Sequence, residues 1–140
     1  MPTKKKKIVI PNSARDTIRR RVRKGAATLD ASKPKWRNKV QPEHLCMESG
    51  LSCILGQVYG GYWKGVQKLC GVDNGEAASR HNGFNLGFHF DDEVVQALVT
   101  ANVPETATKR ARARARAEED MRNAAWDVLH NAWVKELAKV

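Results

Sequence analysis

Apolar residues recur along this chain at the spacing of helix faces, and the first clear stripe is Ile18, Val22, Ala26 and Leu29. Positions three or four apart share one side of a helix, so the stripe predicts a helix from about Ala14 to Ala31, with Ser13 as N-cap. Its other faces carry Arg15, Arg19, Arg20, Arg21, Arg23 and Lys24. Ser32-Lys33-Pro34 ends it, because proline disfavours helical geometry at the preceding residue. Trp36 and Val40 lie in a second basic stretch closed by Gln41-Pro42, and Pro42 to Leu45 could form a short helical turn.

The densest apolar run is Cys53-Ile54-Leu55-Gly56-Gln57-Val58-Tyr59-Gly60-Gly61-Tyr62-Trp63-Lys64-Gly65. With Ser52 as cap, Ile54, Leu55, Val58, Tyr59, Tyr62 and Val66 give a broad helical face. Each glycine inside such a helix costs roughly 0.5–1 kcal/mol relative to alanine. Two readings follow. Either a neighbouring backbone packs against the glycines, which would let Trp36, the first helix and the Trp126–Trp133 helix approach, or the helix breaks at Gly60-Gly61.

Gly71 to Gly75 reads as a turn, and Glu76 to His81 as one or two helical turns ended by Asn82-Gly83. Phe84, Leu86, Phe88 and Phe90 alternate with smaller or polar residues, a pattern that fits a short β element or an irregular apolar loop equally well. Asp91 or Asp92 caps a helix through Val94, Val95, Leu98 and Val99 that stops before Pro104. From Pro104-Glu105 one long helix is expected almost to Val140. Its second half carries Met121, Ala125, Val128, Leu129, Ala132, Trp133 and Leu137, a stripe that should dock. Its first half places Arg110 and Arg114 opposite Arg112 and Arg116, which leaves little to bury and predicts projection into solvent or onto a partner. Arg114–Glu118 and Arg116–Asp120 are expected as i,i+4 pairs.

The fold expected is therefore mainly α: a flexible basic arm over 1–12, a compact helical domain over 13–103, and a long C-terminal helix over 104–140. A length of 140 residues and 41% hydrophobic content suit one domain with a modest core. Charge is what separates the two ends. Of the +10 total, residues 1–40 hold fourteen bases against Asp16 and Asp30, or 14 − 2 = +12, and the rest sum to 11 − 13 = −2. An arm of Lys4, Lys5, Lys6 and Lys7 ahead of an arginine-rich helix is the footprint of a phosphate-binding surface. Candidate nucleic-acid contacts are these lysines with Arg15, Arg19, Arg20, Arg23, Lys24, Lys35 and Arg37. Trp36 could stack on a base, although burial is the expected fate of this tryptophan. The arginine run Arg110, Arg112, Arg114 and Arg116 sits among acids, and it is the candidate surface for a protein partner.

Other chemistry is weaker. Three cysteines make no disulfide framework and favour a reducing compartment. Ile8-Val9-Ile10 before Pro11 is too short for a secretion signal, and no run is long enough to span a membrane. His44, Cys46, Cys53 and Cys70, with His81 and His89 in reserve, are conceivable zinc ligands, yet only His44-x-Cys46 has close spacing, so no metal or cofactor is expected. Nothing assembles a nucleophile, base and orienting group, so the chain is not expected to be an enzyme.

Gly25-Ala26-Ala27-Thr28-Leu29-Asp30, Pro34-Lys35-Trp36, Cys53-Ile54-Leu55-Gly56-Gln57-Val58-Tyr59-Gly60 and Gly83-Phe84 together resemble a family of small actinobacteriophage proteins. Members of that family carry a "GA-x-LLD…P-x-W" opening, a "C-[VI]-L-G-Q-L-[YF]-G" core and a later "GF". Leu129-His130-Asn131-Ala132-Trp133 is similar to the family's "L-x-x-A-W" ending, which would make residues 91–123 an insertion relative to shorter members. Gly50 stands where many members have a second cysteine, a departure that argues against a metal or redox pair on Cys53. The resemblance implies phage origin and the host cytoplasm or virion, and it implies no activity. The function expected is a non-enzymatic, phage-encoded nucleic-acid-associated protein. Its alternative is a protein-interaction module, a host-takeover factor or minor virion component, acting through the long C-terminal helix.

Overall fold

In a computed structural model the first stripe forms α1, Asn12–Ser32, with Pro11 in the N-cap position and Ala14, Ile18, Val22, Ala26 and Leu29 buried. The structure describes residues 8–70 and 85–139. Expectations for Lys4, Lys5, Lys6, Lys7, the 71–84 segment with His81, and the Cys70 side chain lie outside them. Six more helices follow among the described residues: α2 (Trp36–Lys39), α3 (Ile54–Tyr59), α4 (Tyr62–Cys70), α5 (Asp92–Asn102), α6 (Lys109–Ala117) and α7 (Glu119–Leu137), with one 3-10 turn at Pro42–His44. The protein is mainly α, and no strand occurs in the described residues.

The two longest helices, α1 and α7, pack along each other, and α5 lies against both. The α3–α4 pair closes the other side of the core through contacts of α4 with α1 and of α3 with α2. Trp133 is fully buried at the centre. It stacks on Phe88 at 5.3 Å and 8°, meets Trp36 edge-on at 6.0 Å, and donates its indole N–H to the Gly87 carbonyl at 2.6 Å. A buried indole N–H needs such a partner. The alternating Leu86, Phe88 and Phe90 thus form an irregular apolar loop wedged under α7, with Gly87 at φ 76°.

The central run breaks at Gly60-Gly61. Gly60 takes φ 88°, a left-handed C-cap that ends α3. Its N-cap is Cys53 rather than Ser52, and the Cys53 thiol accepts the Gly56 N–H at 3.3 Å. The glycines also serve other neighbours than expected. A Cβ on Gly56 would lie 2.5 Å from the Leu51 carbonyl carbon, and one on Gly65 would lie 2.8 Å from Leu55 Cβ. They close α3 onto α4 and onto the preceding turn, not onto α1 or α7.

Two terminal expectations are corrected. The single C-terminal helix is two helices, because Glu118 is extended at ψ 134°. Ala115 and Met121 are both buried, yet on one continuous helix they would face about 120° apart; the break turns both into the same core. The arginine segment therefore lies on the domain instead of projecting. Neither expected i,i+4 ion pair forms among the described residues. Arg116 instead donates to the Gln96 side chain, and Arg112 to the Glu105 carbonyl at 3.2 Å. At the other end, the apolar part of the arm is docked. The Asn102 side-chain amide accepts the Val9 N–H and donates to the Val9 carbonyl, both at 2.7 Å, as a strand partner would.

Candidate nucleic-acid interface

Helical periodicity divides the basic residues of α1 into three sets, and packing gives each a different fate. Arg15, Arg19 and Arg23 recur every four residues and run along the flank that faces α7. Arg20 and Lys24 lie about 100° further round, exposed on the outward face. Arg21 lies on the buried side, 8% exposed, where its guanidinium bonds Asp91 at 3.0 and 3.3 Å and Glu93 at 3.0 Å. Asp91 also accepts the Val94 N–H as the N-cap of α5. Arg21 is thus a tie between α1 and α5, not part of the exposed basic surface.

The flank meets α7 in a groove with two ends of different charge. At one end Arg15 and Arg19 face Asp120 and Asp127 across a cavity of about 370 Å³ that Ile8 and Ile10 also line. At the other, a groove of about 300 Å³ brings together Arg19, Arg23, Lys135 and Lys139 over Val22 and Ala132. Its single acid, Glu136, is already bound by Lys139 at 2.9 Å. Arg19 and Arg23 of α1 and Lys135 of α7 thus line one concave surface beside a Lys139–Glu136 pair that is neutral as a whole, an arrangement that favours an anion. Lys135 and Lys139 also complement the negative end of the α7 dipole, which accounts for part of their placement.

The basic residues around Trp36 are not brought to this groove. Trp36 is fully buried and donates to Asp30 at 2.8 Å, so it cannot stack on a base. Arg37 lies over the Trp36 ring at 4.4 Å and pairs with the same carboxylate. The Trp36 hydrogen bond, then the Arg37 hydrogen bond with the Arg37 charge behind it, hold Asp30 below the usual carboxylate range. Lys35 is exposed. In the arginine helix, Arg110 and Arg114 are exposed a turn apart and keep no partner among the described residues.

A second gathering of charge went unseen in the sequence. Lys33, at the end of α1, has its ammonium 4.8 Å from the Tyr59 ring centre, a cation–π contact. Partial desolvation, then the charges of Lys39, Lys68 and Lys64, push its pKa down. Lys33 and Lys39 belong to the basic stretch around Trp36 and Lys64 and Lys68 to α4, and only packing brings the two pairs together.

No group of three or more metal-binding side chains occurs among the described residues. Cys53 is buried, and desolvation raises its thiol pKa, which suits a cap rather than a ligand or nucleophile. No described helix is long and apolar enough to cross a membrane. No protein-family model, curated protein or solved structure matches the chain.

Proposed function

We propose that the protein is a non-enzymatic, nucleic-acid-associated protein that holds the phosphate backbone along α1 and in the groove between α1 and α7. The observation that carries this reading is the convergence of Arg19 and Arg23 with Lys135 in a groove whose one acid, Glu136, is already neutralised by Lys139. Arg15, Arg20 and Lys24 extend the surface, and Lys4, Lys5, Lys6 and Lys7 precede it in the chain. Host or viral nucleic acid is the polyanion at hand in the compartment that the resemblance to phage proteins implies.

Anisotropy of labelled DNA measured across salt concentrations tests the reading. Engagement of about five duplex phosphates lowers the association constant about 500-fold between roughly 50 and 200 mM salt. The double variant Arg19→Ala/Arg23→Ala should reduce the slope of log K against log salt by about 2. Affinity that ignores salt, or no binding at all, refutes it. The rival reading, a protein-interaction module, draws on exposed Arg110 and Arg114; a stoichiometric host protein that co-purifies through nuclease treatment and is lost in Arg110→Ala/Arg114→Ala would favour it.

A further inference from the structure

Helix α4 presents two unlike surfaces side by side. Trp63 is 43% exposed, a large aromatic left in solvent where every other described tryptophan is covered to a greater degree. Its ring meets the Tyr62 ring edge-on at 5.0 Å, which fixes its orientation. Together with Leu51, itself 74% exposed, and with Tyr62, His89 and Trp126, it lines an open, largely apolar groove of about 610 Å³. That size lies in the range of sites for small organic groups. Lys64, the next residue along, lines the same groove, and Lys68 follows it four residues on along the same face of α4. Lys33, over the Tyr59 ring of α3, lies close enough to both, and to Lys39 of the α2 that packs on α3, for the charges of all three to act on it. None of the four lysines has an acidic partner among the described residues. The one carboxylate of the groove, Glu48, is exposed at its wall.

We propose that α4 carries a binding site for single-stranded nucleic acid, with backbone phosphates held by Lys33, Lys39, Lys64 and Lys68 and an unpaired base stacked on Trp63. The proposal rests on the phosphate-binding reading above and goes beyond it with a second site, on α4, that selects the class of nucleic acid. Like charges gathered without acids repel one another, and a chain with one phosphate per nucleotide relieves that repulsion. An adjacent oriented aromatic face adds what phosphate contacts alone lack. Bases stack on such a face whatever their sequence, but only when they are not already stacked in a duplex. A lysine cluster and an aromatic platform that meet at Trp63 and Lys64 of one helix are the parts of a single-strand site. An acidic peptide would satisfy the lysines and leave Trp63 unused.

The test compares an oligothymidylate of about 20 nucleotides with a duplex of equal length at matched salt over a series of concentrations, by anisotropy and by quenching of tryptophan fluorescence. Trp63→Ala, Trp63→Phe and Lys64→Ala/Lys68→Ala change exposed positions, and circular dichroism confirms that each remains folded. The expected result is tighter binding of the single strand, with quenching that Trp63→Phe abolishes while keeping most of the affinity. Trp63→Ala should weaken single-strand binding about five- to 150-fold and leave duplex binding unchanged. Lys64→Ala/Lys68→Ala should weaken single-strand binding and flatten its salt dependence. If these variants bind single strands like the wild type while Arg19→Ala/Arg23→Ala does not, the α4 site is wrong and the α1–α7 groove stands. Equal loss of single-strand and duplex binding in Trp63→Ala, or competition by polyglutamate as effective as oligothymidylate, overturns the single-strand assignment. Wild-type protein that binds neither nucleic acid refutes the phosphate-binding reading, and this site with it.

Discussion

Replacing Gly56 with alanine adds one methyl group at the tightest backbone approach in the central run. The new Cβ would stand 2.5 Å from the Leu51 carbonyl carbon and 2.6 Å from the carbonyl oxygens of Gly50 and Leu51. Ordinary contact between heavy atoms is about 3.5–4.0 Å, so the overlap is about 1 Å with three backbone atoms, none of which can rotate aside. The turn they belong to is pinned. Cys53 N–H donates to Ser49 at 2.9 Å, Tyr62 N–H to Gly50 at 2.9 Å, and Cys46 N–H to Ser52 at 3.2 Å. Overpacking costs about 1–3 kcal/mol, and alanine's helix propensity returns about 1 kcal/mol of that. Overlap with backbone puts Gly56→Ala at or beyond the upper end, a net loss of about 2 kcal/mol or more. Gly60→Ala meets no atom within 4 Å and carries only the strain of alanine at φ 88°, about 1 kcal/mol. At this chain length 1 kcal/mol moves Tm by about 3–4 °C. Thermal unfolding followed by circular dichroism should thus show a fall of about 6–8 °C or more for Gly56→Ala and about half that for Gly60→Ala. Because Gly50 and Leu51 line the α4 groove, Gly56→Ala should also weaken single-strand binding below its melting range. A Gly60→Ala loss equal to or larger than that of Gly56→Ala, or a Gly56→Ala protein within about 2 °C of wild type, would refute the packing argument.

Two further outcomes distinguish structural from ligand-binding charge. Arg21→Met should destabilise the protein by about 2–3 kcal/mol in urea titrations, less than for a fully buried pair because Glu93 is mostly exposed, and should leave the salt slope of DNA binding intact. A reduced slope with unchanged stability would instead place Arg21 among the phosphate-binding residues. For Asp30, the folded-state pKa is lowered by the Trp36 hydrogen bond and then by Arg37. Its contribution is therefore present above the unfolded pKa of about 4 and is lost as pH falls through the lower folded value. Asp30→Asn should lower stability at neutral pH and shrink the difference from wild type as pH drops towards 3; a difference that stays constant with pH would contradict this linkage.

Helix periodicity is a local property, and much of the framework was legible from it. Ile18, Val22, Ala26 and Leu29 face the core as their spacing requires, Asp91 caps α5, and Met121, Ala125, Leu129 and Trp133 dock α7. The sequence by itself also placed most of the positive charge before residue 41 and named Arg19 and Arg23. Their partners Lys135 and Lys139 were not legible, because they lie more than a hundred positions away and are joined to α1 only by packing. The same reason hid the cluster of Lys33, Lys39, Lys64 and Lys68. It also hid the difference between Arg21 and the arginines on either side of it, because the Asp91 and Glu93 that bind it lie about seventy positions away. Continuity across Glu118 was a reasonable local expectation, since no proline or glycine interrupts residues 105–140. Only the core could decide it: burying both Ala115 and Met121 requires a change of direction that no local preference encodes. Spacing along one helix determined what each residue could face, and the packing of helices distant in sequence decided which charges meet.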